Sequence, residues 1–87
     1  MPNETMSKKV EISIKNSSQV FSGSDTKTSI VAKLGEPEDV GGFFGKRKVP
    51  LISKYEGIEF HFSPEGNLLL IYKEDETGIA VISEKFK

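Results

Sequence analysis

The chain contains no cysteine, which removes disulfide staples, thiolate zinc sites and cysteine nucleophiles together. A small secreted domain often needs such staples, so their absence leans toward a reducing compartment. Histidine occurs once, as His61. One imidazole makes neither a metal site nor a catalytic constellation. No apolar run approaches the roughly 20 residues of a membrane-spanning helix. Met1–Lys9 is polar and lacks the hydrophobic region of a signal peptide. Cytoplasmic residence without membrane contact is therefore expected. A strong charge of one sign is also missing, since the formal net charge is −1. Dedicated nucleic-acid domains usually carry a clear basic excess.

What is present is an ordinary globular balance. The 87 residues are 36% hydrophobic and 29% charged, which fits one domain with a modest core and not a disordered chain. The charges are unevenly placed. From Glu56 onward there are seven acids against three lysines, whereas Lys46-Arg47-Lys48 is a dense basic run. Such runs most often mark solvated faces and loops.

Periodicity defines the elements. Lys8–Lys15 alternates, with Val10, Ile12 and Ile14 on one side, as a half-buried strand does. Asn16–Gln19 reads as a turn, and Val20-Phe21 as a strand remnant or a hydrophobic lead-in. Ser24, Asp25 and Thr26 all suit a helix N-cap. Ile30, Val31 and Leu34 share one helical face, Gly35 suits a left-handed C-cap and Pro37 cannot continue the helix. Residues 36–48 carry three glycines and a proline and are expected to be irregular. Beyond them lie repeated short apolar runs with turn chemistry at Glu56-Gly57, Ser63–Gly66 and Glu74–Gly78. The sequence thus predicts an α+β domain over 8–87 behind a flexible tail at 1–7. An N-terminal strand leads to one short helix at about 26–34. A four-stranded antiparallel meander follows, at about 49–55, 58–62, 68–73 and 79–83.

A symmetric Ser63–Asn67 loop would set Phe62 opposite Leu68, Phe60 opposite Leu70 and Ile58 opposite Tyr72, on a face covered by the helix. The other face would then carry Leu69 and Ile71, rimmed by Glu59, His61 and Lys73. An apolar stripe of that kind suits a protein partner or a homodimer contact. The competing reading is cover by the N-terminal strand, the long loop or the tail. A second candidate is Gly41–Lys48, where Phe43 and Phe44 adjoin Lys46, Arg47 and Lys48. Aromatics stack on bases and cations meet phosphates, so this segment suits single-stranded nucleic acid or an anion. It lacks the spacing of a Walker A loop. The plainer alternatives are a protein-binding loop, or phenylalanines tucked under the domain edge. His61 beside Glu59 has no nucleophile near it in sequence and reads as a surface residue. Glu74-Asp75-Glu76 lacks the alternating oxygen ligands of a calcium loop. No metal and no cofactor are expected.

Two stretches resemble known patterns. Leu34-Gly35-Glu36-Pro37-Glu38-Asp39-Val40 resembles the Leu-Gly-x-Pro-x-Asp passage that ends a short helix in small bacterial domains. Tyr55-Glu56-Gly57-Ile58-Glu59-Phe60-His61-Phe62, followed by Gly66-Asn67-Leu68, resembles the Tyr-Gly-Asp-Ile-Glu-Phe-x-Phe hairpin of small bacterial proteins, with the glycine one place later. Neither motif carries catalytic residues. The resemblance implies a small bacterial α+β domain, a class in which some members act as immunity or antitoxin partners. A likeness to small periplasmic lipoprotein domains is opposed by the missing lipobox cysteine. The expected function is a non-enzymatic protein-interaction module, immunity-like or regulatory. Its partner would meet Phe43, Phe44, Glu59, His61, Leu69 and Ile71. The alternative is nucleic-acid or anion binding through Lys46, Arg47 and Lys48.

Overall fold

The structure is a computed structural model and describes residues 8–86; the tail expected over 1–7 lies outside them. Its elements run β1 (Lys9–Ile14), β2 (Ser17–Ser22), α1 (Lys27–Leu34), β3 (Asp39–Phe44), β4 (Val49–Tyr55), β5 (Ile58–Phe62), β6 (Leu68–Glu74) and β7 (Ala80–Lys85). β1 and β2 form a two-stranded sheet, and β3 to β7 form a five-stranded antiparallel meander in sequential order. This is the α+β, meander-dominated architecture that the sequence predicts, with two further strands.

Those two strands are corrections. The turn after β1 is Lys15-Asn16, at φ 56° and 63°. Two left-handed residues match the twist of a tight hairpin, so the chain reverses early and Ser17–Gln19 belongs to β2. β3 replaces the irregular segment expected over 36–48. Its glycines do not prevent pairing, because the ladder with β4 needs only backbone groups. Gly42 is the point of strain: at φ 60° it is left-handed, and a Cβ there would lie 2.9 Å from the Ile52 side chain.

The helix forms where its caps direct it. Thr26 is the N-cap, and its hydroxyl accepts from the Ser29 amide while Ser29 Oγ accepts from the Thr26 amide. Gly35, at φ 84°, closes the other end with its amide donating to the Val31 carbonyl. Eight residues are too few for a stable isolated helix, so tertiary contacts hold it. Ile30 and Leu34 face the core, and the Tyr55 hydroxyl donates to the Gly35 carbonyl at 2.7 Å.

The core lies on one face of the meander. Tyr55, Ile58, Phe60, Phe62, Leu68 and Ile71 meet Ile12, Ile14 and Phe21 of the β1–β2 hairpin together with the helix. Phe60 is at the centre, edge-on to Phe21 at 5.1 Å and to Tyr55 at 5.6 Å between ring centroids.

The expected register between β5 and β6 holds only at its first pair. Phe62 pairs with Leu68, but a bulge follows: His61 pairs with Leu70, Phe60 with Ile71 and Glu59 with Tyr72. The extra residue is Leu69. One inserted residue transfers every later side chain to the opposite face. Leu70 and Tyr72 therefore point outward, and Ile71 points into the core.

One buried charge joins hairpin, helix and sheet. The Asp25 carboxylate accepts from Ser29 Oγ at 2.6 Å, from the Ser22 amide at 2.9 Å and from Lys33 Nζ. Its carbonyl also accepts from the Leu68 amide. Burial raises its pKa, but the bonds from Ser29, Ser22 and Lys33 outweigh that and hold it below 3.8. A folded-state pKa below the unfolded value of about 3.9 stabilises the fold above that pH, and the contribution is lost as pH falls through the folded value. Urea unfolding across pH 7 to 2 should therefore show Asp25→Asn less stable at pH 7 by about 1–3 kcal/mol. The variant should also have a shallower decline below about pH 4. Parallel acid limbs for variant and parent would contradict this role.

Candidate functional site

The meander's second face lies opposite the helix and the β1–β2 hairpin, so neither covers it. Cross-strand pairing orders it in rows. One row runs Gly41, Ile52, His61, Leu70 and Lys85; the next runs Asp39, Lys54, Glu59, Tyr72 and Ser83. Ile52 and Leu70 flank His61, and all three are half-buried. The His61 ring Nε2 lies 2.9 Å from Glu59 Oε1, as expected for strand neighbours two apart on one face. The Tyr72 hydroxyl donates to Glu74 at 2.6 Å. An apolar stripe thus runs beside a polar row.

The stripe continues onto a projecting arm. β4 pairs with β3 over Val49–Lys54 but with β5 only from Ile52 onward. The β3–β4 hairpin therefore extends past β5 with no ladder partner but itself. Pro50 sits in this overhang, where no β5 carbonyl needs the N–H it lacks. Phe43 pairs with Pro50 and Phe44 with Val49, so the two phenylalanines point to opposite sides of the arm. They are 59% and 53% exposed, and Val49 is 41% exposed. Both rings are out in solvent, not tucked under the domain edge. Lys46, Arg47 and Lys48 form the exposed tip turn, and none takes part in an ion pair among the described residues. The arm is anchored at its base by Lys27, whose ammonium donates to the Pro50 carbonyl at 2.9 Å.

The sequence-predicted residues therefore separate. Phe43, Phe44, Lys46, Arg47 and Lys48 share the arm, and Glu59 and His61 lie on the adjoining face. Leu69 is half-buried at the bulge, and its carbonyl accepts from the Phe86 amide. Ile71 is removed from the site because it has no exposed surface. Its place on the outer stripe is taken by Leu70 and Ile52, which sequence reasoning missed. The alternation Pro50-Ile52-Lys54 against Leu51-Ser53-Tyr55 was a usable signal for Ile52. Nothing in the run Leu68–Ile71 distinguishes Leu70 from its neighbours.

His61 has Glu59 as its hydrogen-bond partner, with apolar Ile52 and Leu70 across the strands. Among the described residues no three His, Asp or Glu side chains converge on a metal-sized space. The Asp75 carboxylate is taken up inside its own turn by the Thr77 amide and hydroxyl and by the Ile79 amide. Among the described residues no helix is long and apolar enough to cross a membrane. Neither a protein-family model, nor a curated protein, nor a solved structure matches this chain.

Burial divides the site residues into two classes that thermal melts distinguish. Ile71→Lys places an ammonium in the core and should cost more than about 4 kcal/mol, leaving the chain unfolded. Phe43→Ser should stay within about 0.5 kcal/mol of the parent. A folded Ile71→Lys protein would contradict the bulged register.

Proposed function

We propose that the protein is a non-enzymatic protein-interaction module, an immunity-like or regulatory partner protein of the bacterial cytoplasm. In this reading it docks another protein on the β3–β4 arm and the adjoining stripe of Ile52, His61 and Leu70. The observation that carries the reading is the exposure of Phe43 and Phe44 on opposite sides of a hydrogen-bonded hairpin. An aromatic pair held in solvent on a paired strand is an anchor without its pocket. Apolar groups on both sides of the arm favour enclosure by a protein groove over stacking on one strand of bases. Charge adds orientation: the tip carries Lys46, Arg47 and Lys48, while the row behind it alternates in sign through Asp39, Lys54 and Glu59. A partner with the complementary polarity is steered into register.

The test is affinity capture from bacterial extract with the parent, with Phe43→Ser/Phe44→Ser and with Lys46→Glu, followed by titration of the captured species. The double variant should bind it about 10- to 100-fold more weakly, while Lys46→Glu changes mainly the association rate and salt dependence. Capture indifferent to both phenylalanines would sink the proposal. A nucleic-acid ligand whose binding collapses with salt and with Lys46→Glu would replace it with the alternative reading.

A further inference from the structure

The outer face of the meander is complementary to itself. Across β3, β4, β5 and β6 one row reads Gly41, Ile52, His61 and Leu70, and the next reads Asp39, Lys54, Glu59 and Tyr72. Two sheets packed face to face lie about 10 Å apart, with their strands within about 30° of each other. A two-fold axis running along the strands between β4 and β5 sets β4 over β5 of a second copy, and β3 over its β6. In that register Lys54 meets Glu59 of the second copy, and Glu59 meets its Lys54. Ile52 lies over His61, and Leu70 lies over Gly41.

Each of these groups is available for the contact. Among the described residues Lys54 takes part in no ion pair. His61 occupies Glu59 Oε1, which leaves Oε2 for an ammonium. Ile52 and Leu70 are half-buried on a face that neither the helix nor the hairpin covers. Gly41 supplies the recess for Leu70, since a Cβ built there would meet nothing within 4 Å. Asp39 and Tyr72, the outermost pair, have partners of their own in the Val40 amide and Glu74.

Charge selects this register over its neighbours. An axis through β4 would stack Lys54 on Lys54 and Asp39 on Glu59, and an axis through β5 would stack Glu59 on Glu59. Like charges set together in this way are costly. An axis between β3 and β4 leaves only those two strands overlapping, and one between β5 and β6 takes Lys54 and Glu59 off each other. Four strands about 4.8 Å apart, over about six residues of length, make a face of roughly 400 Å², and its corrugation brings the area buried by both copies to about 1,000 Å². That is the low end for a specific interface, so the pair is weak and depends on concentration.

We propose that the outer face of the meander is the contact of a weak symmetric dimer of this chain, held by two reciprocal Lys54–Glu59 pairs around Ile52, His61 and Leu70. This inference rests on the stripe being a contact surface, as in the reading above, and names its occupant as a second copy. The axis keeps both copies pointing the same way along the strands. Both β3–β4 arms therefore project side by side from one end of the dimer, open to a different protein.

The test is sedimentation equilibrium on the full chain from about 1 µM to about 1 mM, where the mass should rise from one chain to two with a midpoint on the order of 10–100 µM. Lys54→Glu alone and Glu59→Lys alone should each weaken self-association at least about tenfold, because each sets like charges together twice. Mixed in equal amounts, the two variants should pair with each other about as tightly as the parent pairs with itself, which a folding defect cannot produce. Gly41→Leu should melt with the parent at low concentration and lose association, because it fills the recess for Leu70. A chain that stays monomeric at about 1 mM, charge variants that associate as the parent does, or variants that fail to recover on mixing would each overturn the inference. Such a failure beside intact, phenylalanine-dependent capture removes the dimer alone, whereas a dimer whose capture ignores Phe43 and Phe44 removes the arm's reading alone.

Discussion

The T-shaped contact between the Phe21 and Phe60 rings is the one on which the rest of the molecule depends. Phe21 belongs to a two-stranded hairpin, which is marginal by itself in water, and Phe60 to the central strand of the meander. Both rings are fully buried. Their contact converts a hairpin and an open sheet into two walls of one core, and Tyr55 extends it to the end of the helix. Asp25 locks the same joint from the polar side, since its carboxylate ties the end of β2 to the helix and its carbonyl ties both to β6. A chain of this length has little else with which to build a core.

That economy explains the uncovered surface. A helix of eight residues and one hairpin suffice to cover a single face of a five-stranded sheet. The other face keeps a half-buried apolar stripe, and the sheet's first two strands overhang its third as an arm bearing two exposed phenylalanines. Among the described residues β7, at one edge of the meander, pairs only with β6. The apolar surface left open thus lies where the helix and the hairpin run out of cover.

How much of this was legible in the sequence varies with the kind of signal each segment carries. Val10, Ile12 and Ile14, and again Ile58, Phe60 and Phe62, alternate against polar residues, and all face the core as the period demands, with Val10 at its margin. Thr26, Gly35 and Gly66 direct backbone geometry that needs no tertiary help. Leu68–Leu69–Leu70–Ile71 is apolar throughout, so alternation is silent there. The bulge that decides which of the four faces water is a backbone event with no side-chain signature. β3 was illegible for a different reason: its glycines argue against a strand on propensity, while pairing with β4 requires none. β2 is largely polar on its exposed side, which conceals a strand whose one critical residue is Phe21. The arm residues Phe43 and Phe44 were recognised by type, but their exposure follows from the overhang of β3 and β4 beyond β5, which only the pairing register reveals.

On the function proposed above, the exposed phenylalanines of the β3–β4 arm are held ready for a protein partner. The most direct test is a photo-crosslinking phenylalanine derivative placed at Phe44 in living cells, with the same residue at helix position Thr28 for comparison. The prediction is a discrete protein adduct of defined mass from position 44 and none from position 28. Irradiation that yields no protein adduct at position 44, or the same adducts at both positions, would contradict it.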